Sequence, residues 1–216
     1  MNRNILIFGD SYSTFKDCIP EGYSYYYSEQ GRGEDNPVSR MHREETWWAR
    51  LIERGGYTLV LNDSWSGSTV SYTGYNGDCS KTNSFIFRYR GLRDSGFFRN
   101  NEIDTVLLFG ATNDSWCPSP LGEMKFSDFE ESDLYGVRPA ICYMISELKS
   151  VLPHAEIVIM LNSDIISSEI AECMRLAAEH FGVKLLPLPD IDKMNGHPTV
   201  LGMQQISERI YELLEG

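Results

Sequence analysis

The sequence predicts an α/β fold: a three-layer α/β/α sandwich around a five-stranded parallel sheet. Two observations carry the expectation. Short apolar runs closed by Gly, Asn or Asp alternate with longer segments of helical periodicity, the pattern of strands joined by crossover helices. A chain of 216 residues with 42% hydrophobic content is also long enough to bury one large core. A single domain over residues 1–216 is therefore expected.

The elements follow in chain order. Residues 4–8 (NILIF) read as the first strand, ended by Gly9-Asp10. A helix over about 45–54 begins with Trp47 and Trp48, at least one of them facing the core. The second strand is 58–61 (TLVL), and a helix over about 84–92 leads to the third, 104–109 (DTVLLF). Val137, Ile141, Ile145 and Leu148 stripe a helix over 136–151, which Pro153 stops. After the strand 156–161 (EIVIML), Ile166, Ile170, Cys173, Met174, Ala177 and Phe181 share one face of a helix over 166–181. A strand at 184–188 (KLLPL) and a helix over 199–214 complete the series. Two stretches fit the alternation poorly, 12–44 with its "EGYSYYYSEQGRGEDNP" and 114–134, "DSWCPSPLGEMKFSDFEESDL". Insertions this long are commonly functional. Both leave from the carboxyl ends of strands, where open α/β sheets bind ligands, so they are expected to wall a site.

Composition narrows the partners. A formal charge of −12 disfavours nucleic acid and anionic membrane surfaces, and the densest basic stretch, residues 87–99, holds four arginines and an aspartate. The five cysteines (18, 79, 117, 142, 173) are dispersed and lack metal-ligand or disulfide-framework spacing, so no metal site is expected. No run reaches transmembrane length and "MNRNILIFGD" does not read as a signal peptide. The cytoplasm is the expected location, or the periplasm or exterior if a leader has been removed. The sequence offers nothing on oligomeric state.

Chemistry collects at the strand ends. "FGDSYS" puts Ser11 after a glycine turn, where a serine serves either as a helix cap or as a nucleophile facing backbone N–H donors. "NDSWSGST" follows the second strand with Gly67, a turn former whose N–H can also approach a ligand closely. "LLFGATNDSW" delivers Asn113 and Asp114 at the third strand tip, the asparagine making either an Asx turn or a donor into the cleft. "DIDKMNGHPTVLGM" sets His197 between Gly196 and Pro198, just before the last helix. Together these are a nucleophile, two oxyanion donors and a general base.

This ordered set resembles the SGNH hydrolases, the GDSL esterase/lipase family: Gly9-Asp10-Ser11 as block one, Gly67 as block two, Asn113-Asp114 as block three and His197 as block five. The resemblance runs from residue 5 to about 205. It implies a flavodoxin-like sheet of strand order 2-1-3-4-5 and ester or thioester hydrolysis without metal or organic cofactor. Carried over by position, Ser11 is the nucleophile and His197 the base, with the Ser11 N–H, the Gly67 N–H and the Asn113 side chain as the oxyanion hole. One block departs. The family writes Asp-x-x-His, and here the acid's position is Met194. Asp192 and Asp190 lie five and seven residues ahead of His197, with Asn195 and Gly196 permitting a bend. Asp192 is preferred over Asp190, and a Ser-His dyad oriented by a backbone carbonyl is the alternative. Ala111 also stands where many members carry glycine, with Gly110 one place earlier.

The expected substrate is a short acyl ester, such as O-acetyl on a carbohydrate. Trp65, Trp116 and Tyr25, with Tyr23, Tyr26 and Tyr27, could supply stacking faces for sugar rings, or could pack the insertions onto the domain. The insertions are mostly polar, unlike the apolar lid of a long-chain lipase. The alternatives are a weakly active or inactive ligand-binding module, a lipase or thioesterase for longer acyl groups, and acyl transfer to a sugar instead of water.

Overall fold

The protein is described from a computed structural model, which covers residues 3–117 and 119–216. In chain order the strands and helices are β1 (Asn4–Gly9), α1 (Trp47–Gly55), β2 (Thr58–Ser64), β3 (Thr73–Gly74), β4 (Gly77–Asp78), α2 (Phe85–Asp94), α3 (Phe97–Asn100), β5 (Thr105–Phe109), α4 (Thr112–Trp116), α5 (Val137–Val151), β6 (Glu156–Leu161), α6 (Ser168–Phe181), β7 (Lys184–Pro187), β8 (Lys193–Met194), β9 (His197–Pro198) and α7 (Val200–Glu215). The main sheet has the order β2-β1-β5-β6-β7 and is parallel throughout, which is the 2-1-3-4-5 order the resemblance implies.

Alternation along the strands builds the two cores. Ile5 and Ile7 of β1, Leu107 and Phe109 of β5 and Val158 and Met160 of β6 face α1 and α7. Their neighbours Leu6, Phe8, Val106, Leu108, Ile157 and Ile159 face α2, α5 and α6. Central strands with both faces covered read as continuous apolar runs, which is why the sequence reveals them. Serine and threonine hydroxyls at Thr46, Ser84, Ser167 and Thr199 cap the starts of α1, α2, α6 and α7.

Where sequence and structure differ, polar residues or short elements are the cause. β2 runs three residues past the apolar run because Asn62, Asp63 and Ser64 still pair with Ile7, Phe8 and Gly9. Their buried side chains find polar partners: Asn62 Nδ2 donates to Ser13 O at 2.8 Å and Ser64 Oγ to Asn62 Oδ1 at 2.6 Å. Two hairpins, β3–β4 and β8–β9, have strands too short to show a period. The 12–44 stretch carries 3-10 turns and bridges from Phe15 to Tyr27 and from Ser28 to Arg40, with Tyr26 and Tyr27 turned inward onto the α1/α7 core. The 114–134 stretch begins inside α4 and ends in a 3-10 turn at Glu131–Tyr135; Pro118 within it lies outside the described residues. Among the described residues no helix is long and apolar enough to cross a membrane.

Candidate active site

Strand register gathers the site. Gly9, the last residue of β1, is paired with Ser64 on one side and Phe109 on the other. The loops carrying Ser11, Gly67 and Asn113 therefore leave the sheet side by side. Crowding here excludes a side chain: a Cβ on Gly9 would lie 2.4 Å from Ser64 Oγ and 2.5 Å from Ser13 Cβ. Asp10 follows, and its Oδ1 accepts the Tyr12 N–H at 3.1 Å, capping the 3-10 turn Ser11–Ser13. Burial raises the Asp10 carboxyl to a pKa of about 7 against the opposing hydrogen bond from Tyr12, the neighbouring Asp114 adding to the rise.

The His197 imidazole reaches this turn from the far edge of the sheet. Its Nε2 lies 3.0 Å from Ser11 Oγ and its Nδ1 3.2 Å from the Asn195 carbonyl oxygen. A carbonyl only accepts, so Nδ1 carries the proton and Nε2 turns its lone pair to the serine. The β8–β9 hairpin that delivers the ring turns through Asn195 and Gly196 at φ 51° and 76°, the left-handed pair of a type I′ turn. Three contacts fix this hairpin. Tyr12 Oη donates to the Gly196 carbonyl, Asn162 Nδ2 at the end of β6 donates to Tyr12 Oη at 3.1 Å, and Tyr27 Oη donates to the Pro198 carbonyl at 2.9 Å.

Aromatic rings enclose the imidazole. Tyr26 stacks on it at 3.7 Å between centroids and 3° between planes, with Tyr12 at 5.3 Å and Trp116 at 6.0 Å. Loss of solvent under these rings lowers the His197 pKa to about 4, the Asn195 carbonyl working in the opposite direction and Arg32 adding to the depression. The ring is thus neutral at physiological pH.

Asp192 makes no hydrogen bond to the imidazole. Its carboxylate accepts from Thr199 Oγ1, and Asp192 stands opposite Thr199 across the ribbon, the Thr199 N–H donating to the Asp192 carbonyl at 3.1 Å. Met194, not Asp192, stands opposite His197, because the tight two-residue turn sets the register. Asp190, at φ 55°, also makes no hydrogen bond to the imidazole, whose partners are Asn195 and Ser11.

Three candidate donors lie on the segments that follow β1, β2 and β5. Among the described residues neither the Ser11 nor the Gly67 backbone N–H has a protein acceptor. Gly67 has φ 81°, a conformation glycine adopts without strain. Asn113 Nδ2 gives one proton to Ser68 O at 2.9 Å, and its Oδ1 accepts from Tyr75 Oη at 3.1 Å. Those two bonds fix the amide plane and leave the second Nδ2 proton free. The adjoining loop is held from below: Asp114 accepts the N–H groups of Val70 and Ser71 at 2.8 and 3.0 Å. Buried Arg88 pairs with Asp63 at 2.6 Å and also donates to Gly9 O at 3.2 Å and Ser68 Oγ at 3.3 Å. Ala111 takes φ 70° at the turn into α4, the conformation the family's glycine accommodates.

The aromatic residues separate. Trp116 is 42% exposed beside His197, over Gly196. Trp65 packs on Tyr23 at 4.2 Å and borders a cavity of about 410 Å³ that includes Gly67. Tyr25 instead lines a separate recess with Lys16, Pro20 and Tyr23, because the chain turns Tyr26 and Tyr27 inward and leaves Tyr25 outside. The sequence reading gave Tyr12, Tyr75, Arg88 and Asn162 no place in the site. Asn162 directly follows a strand, as Asn113 nearly does, and that position was its signal; for Tyr12, Tyr75 and Arg88 the sequence holds none. Among the described residues no three His, Cys, Asp or Glu side chains are grouped to hold a metal ion.

A parallel sheet of this order, with a serine bonded to a histidine and backbone N–H groups at adjoining strand ends, is the arrangement of the SGNH hydrolase fold. The GDSL-like lipase/acylhydrolase family model matches residues 3–214, and the chain belongs to that family of ester hydrolases. It is similar to two crystal structures assigned as GDSL-like lipases. The one from Bacteroides ovatus is 36% identical, with 99% of this chain and 98% of that chain covered and a TM-score of 0.87. The one from Bacteroides uniformis is 38% identical, with 99% and 95% covered and a TM-score of 0.87. A family two carbohydrate esterase from Clostridium thermocellum, in complex with cellohexaose, shares the fold at 18% identity and a TM-score of 0.63, with 99% of this chain and 63% of that chain covered. No curated protein matches the chain.

Proposed function

We propose that the protein hydrolyses short-chain acyl esters, of the kind formed by an acetyl group on a sugar hydroxyl, through a Ser11–His197 dyad that needs no orienting carboxylate. The observation that carries this reading is the imidazole bridging Ser11 Oγ at 3.0 Å and the Asn195 carbonyl at 3.2 Å. His197 Nε2 takes the Ser11 proton as Oγ attacks the ester carbonyl carbon. The Ser11 N–H, Gly67 N–H and Asn113 Nδ2 donate to the developing oxyanion. The imidazolium then protonates the leaving alcohol as the C–O bond breaks, and a water molecule, deprotonated by His197, frees Ser11 from the acyl group. The carbonyl dipole of Asn195 holds the tautomer that a carboxylate holds elsewhere, with less stabilisation of the imidazolium.

Short acyl groups and polar alcohols are supported by the surroundings. The cavity beside Gly67 has Trp65 and Tyr75 as its aromatic faces, with Ser24, Ser66, Asn76, Asp78, Thr82 and Asn83 also along its border. The test is a series of p-nitrophenyl esters from acetate to octanoate alongside an O-acetylated sugar. Turnover that falls with chain length and disappears in Ser11→Ala is expected. Asn113→Ala should lower kcat by roughly 10²–10³. Octanoate preferred over acetate would overturn the short-chain reading.

A further inference from the structure

The β3–β4 hairpin stands beside the site, and the dyad and oxyanion hole do not explain its residues. It projects Tyr75 and Asn76 at its tip, and Tyr75 remains 52% exposed although its hydroxyl reaches Asn113 Oδ1 at 3.1 Å. The hairpin is anchored away from the tip: Thr73 Oγ1 donates to Tyr135 O at 2.9 Å, and Thr73 O accepts from Ser119 Oγ at 2.9 Å. Between this tip and the loop after β2 lies the cavity of about 410 Å³, bordered by Trp65, Gly67, Tyr75, Asp78 and Asn83. That volume suits a small ligand.

The lining indicates the ligand's chemistry. Two aromatic side chains line the cavity, Tyr75 and Trp65, the latter with Tyr23 packed against it. Asp78 is held ionised by the Ser80 N–H at 2.8 Å, so its carboxylate brings negative charge. No lysine or arginine lines the cavity, which disfavours phosphate or carboxylate groups. Neutral hydroxyl groups on a ring, donating to Asp78 and exchanging hydrogen bonds with the Asn83 amide, fit these surfaces.

We propose that this hairpin builds the subsite for the alcohol half of the ester, a neutral sugar unit, and that Tyr75 is a positioning residue linking that subsite to the oxyanion hole. The proposal rests on the ester-hydrolase reading above and adds the location of the alcohol. The Tyr75 ring borders the sugar while its hydroxyl holds the Asn113 amide plane, so that one Nδ2 proton stays aimed at the oxyanion. Without that bond the amide can rotate between carbonyl and amino ends, and the donor is lost part of the time.

Steady-state kinetics on p-nitrophenyl acetate and on an O-acetylated hexose, with calorimetric titration of a methyl hexoside into Ser11→Ala protein, test it. Tyr75→Phe keeps the ring and loses the bond, so kcat should fall roughly tenfold on both esters with little change in KM. Asn83→Ala should lower kcat/KM for the sugar ester roughly tenfold relative to p-nitrophenyl acetate and weaken hexoside binding in the Ser11→Ala background. Unchanged kcat in Tyr75→Phe would overturn the positioning role. Ser11-dependent turnover of p-nitrophenyl acetate with no hexoside binding and no Asn83 effect would overturn the subsite while leaving the hydrolase reading intact. Hexoside binding that Asn83→Ala abolishes, in a protein that turns over no ester, would support the subsite and overturn the hydrolase reading.

Discussion

His197, the proposed base, has aromatic rings on several sides and a backbone carbonyl at its Nδ1. Loss of solvent lowers its pKa to about 4, Arg32 adding to the depression and the Asn195 carbonyl opposing it. Protonation removes the lone pair that accepts the Ser11 proton, so kcat/KM should be flat through neutrality and fall as pH drops through about 4, rather than near the ordinary histidine value of about 6.5. Met194 stands opposite His197 on the hairpin, where Cβ atoms lie about 5 Å apart. Met194→Asp should therefore favour the imidazolium and move the acidic limb of the profile upward. Asp192→Asn should leave that limb in place, because the Asp192 carboxylate bonds Thr199. A limb that moves in Asp192→Asn would return the acid to Asp192. The sequence shows which residues gather here, because each stands a few positions past a strand. It leaves the orienting group open, since a one-residue difference in hairpin register decides which side chain faces the ring.

The elements show the same division between long and short range. The central strands β1, β5 and β6 are legible because both faces are covered and the apolar runs are unbroken, while the edge strands β2 and β7 show as shorter apolar runs. The polar end of β2 escapes the pattern because its buried Asn62, Asp63 and Ser64 are satisfied by distant partners, Ser13 and Arg88 among them. The β3–β4 and β8–β9 hairpins have two-residue strands, too short for any period, and the Asn195-Gly196 pair is the only local sign of the second. That turn has a measurable cost of alteration. Gly196→Ala puts a Cβ at φ 76° and 3.2 Å from Trp116 Cη2, costing about 1–2 kcal/mol or roughly 2–8 °C in Tm. It should also lower kcat, since the Asn195 carbonyl shifts with the turn. A variant that loses Tm with full kcat would show that the hairpin is structural only.

Across the whole molecule the net charge is −12, and the arginines of the densest basic stretch are largely engaged in ion pairs within the fold. Of the basic stretch at 87–99, Arg90 pairs with Glu131, Arg93 with Glu147 and Asp94, and Arg88 is buried against Asp63. Arg88 also ties β1 to the Gly67 loop through Gly9 O and Ser68 Oγ, so it connects global stability to the site. Arg88→Met leaves Asp63 buried without its cation and should destabilise the fold by about 3–5 kcal/mol in denaturant unfolding; a change below about 1 kcal/mol would show the pair to be dispensable. The central claim is that Ser11 is a nucleophile activated by His197 without a carboxylate. Fluorophosphonate labelling of the wild type, Ser11→Ala, His197→Ala and Asp192→Asn at pH 7 tests it most directly. Labelling of the wild type and of Asp192→Asn at similar rates is expected, with none at residue 11 of Ser11→Ala and strongly slowed labelling of His197→Ala. Labelling that persists in Ser11→Ala, or that Asp192→Asn abolishes in a folded protein, would contradict it.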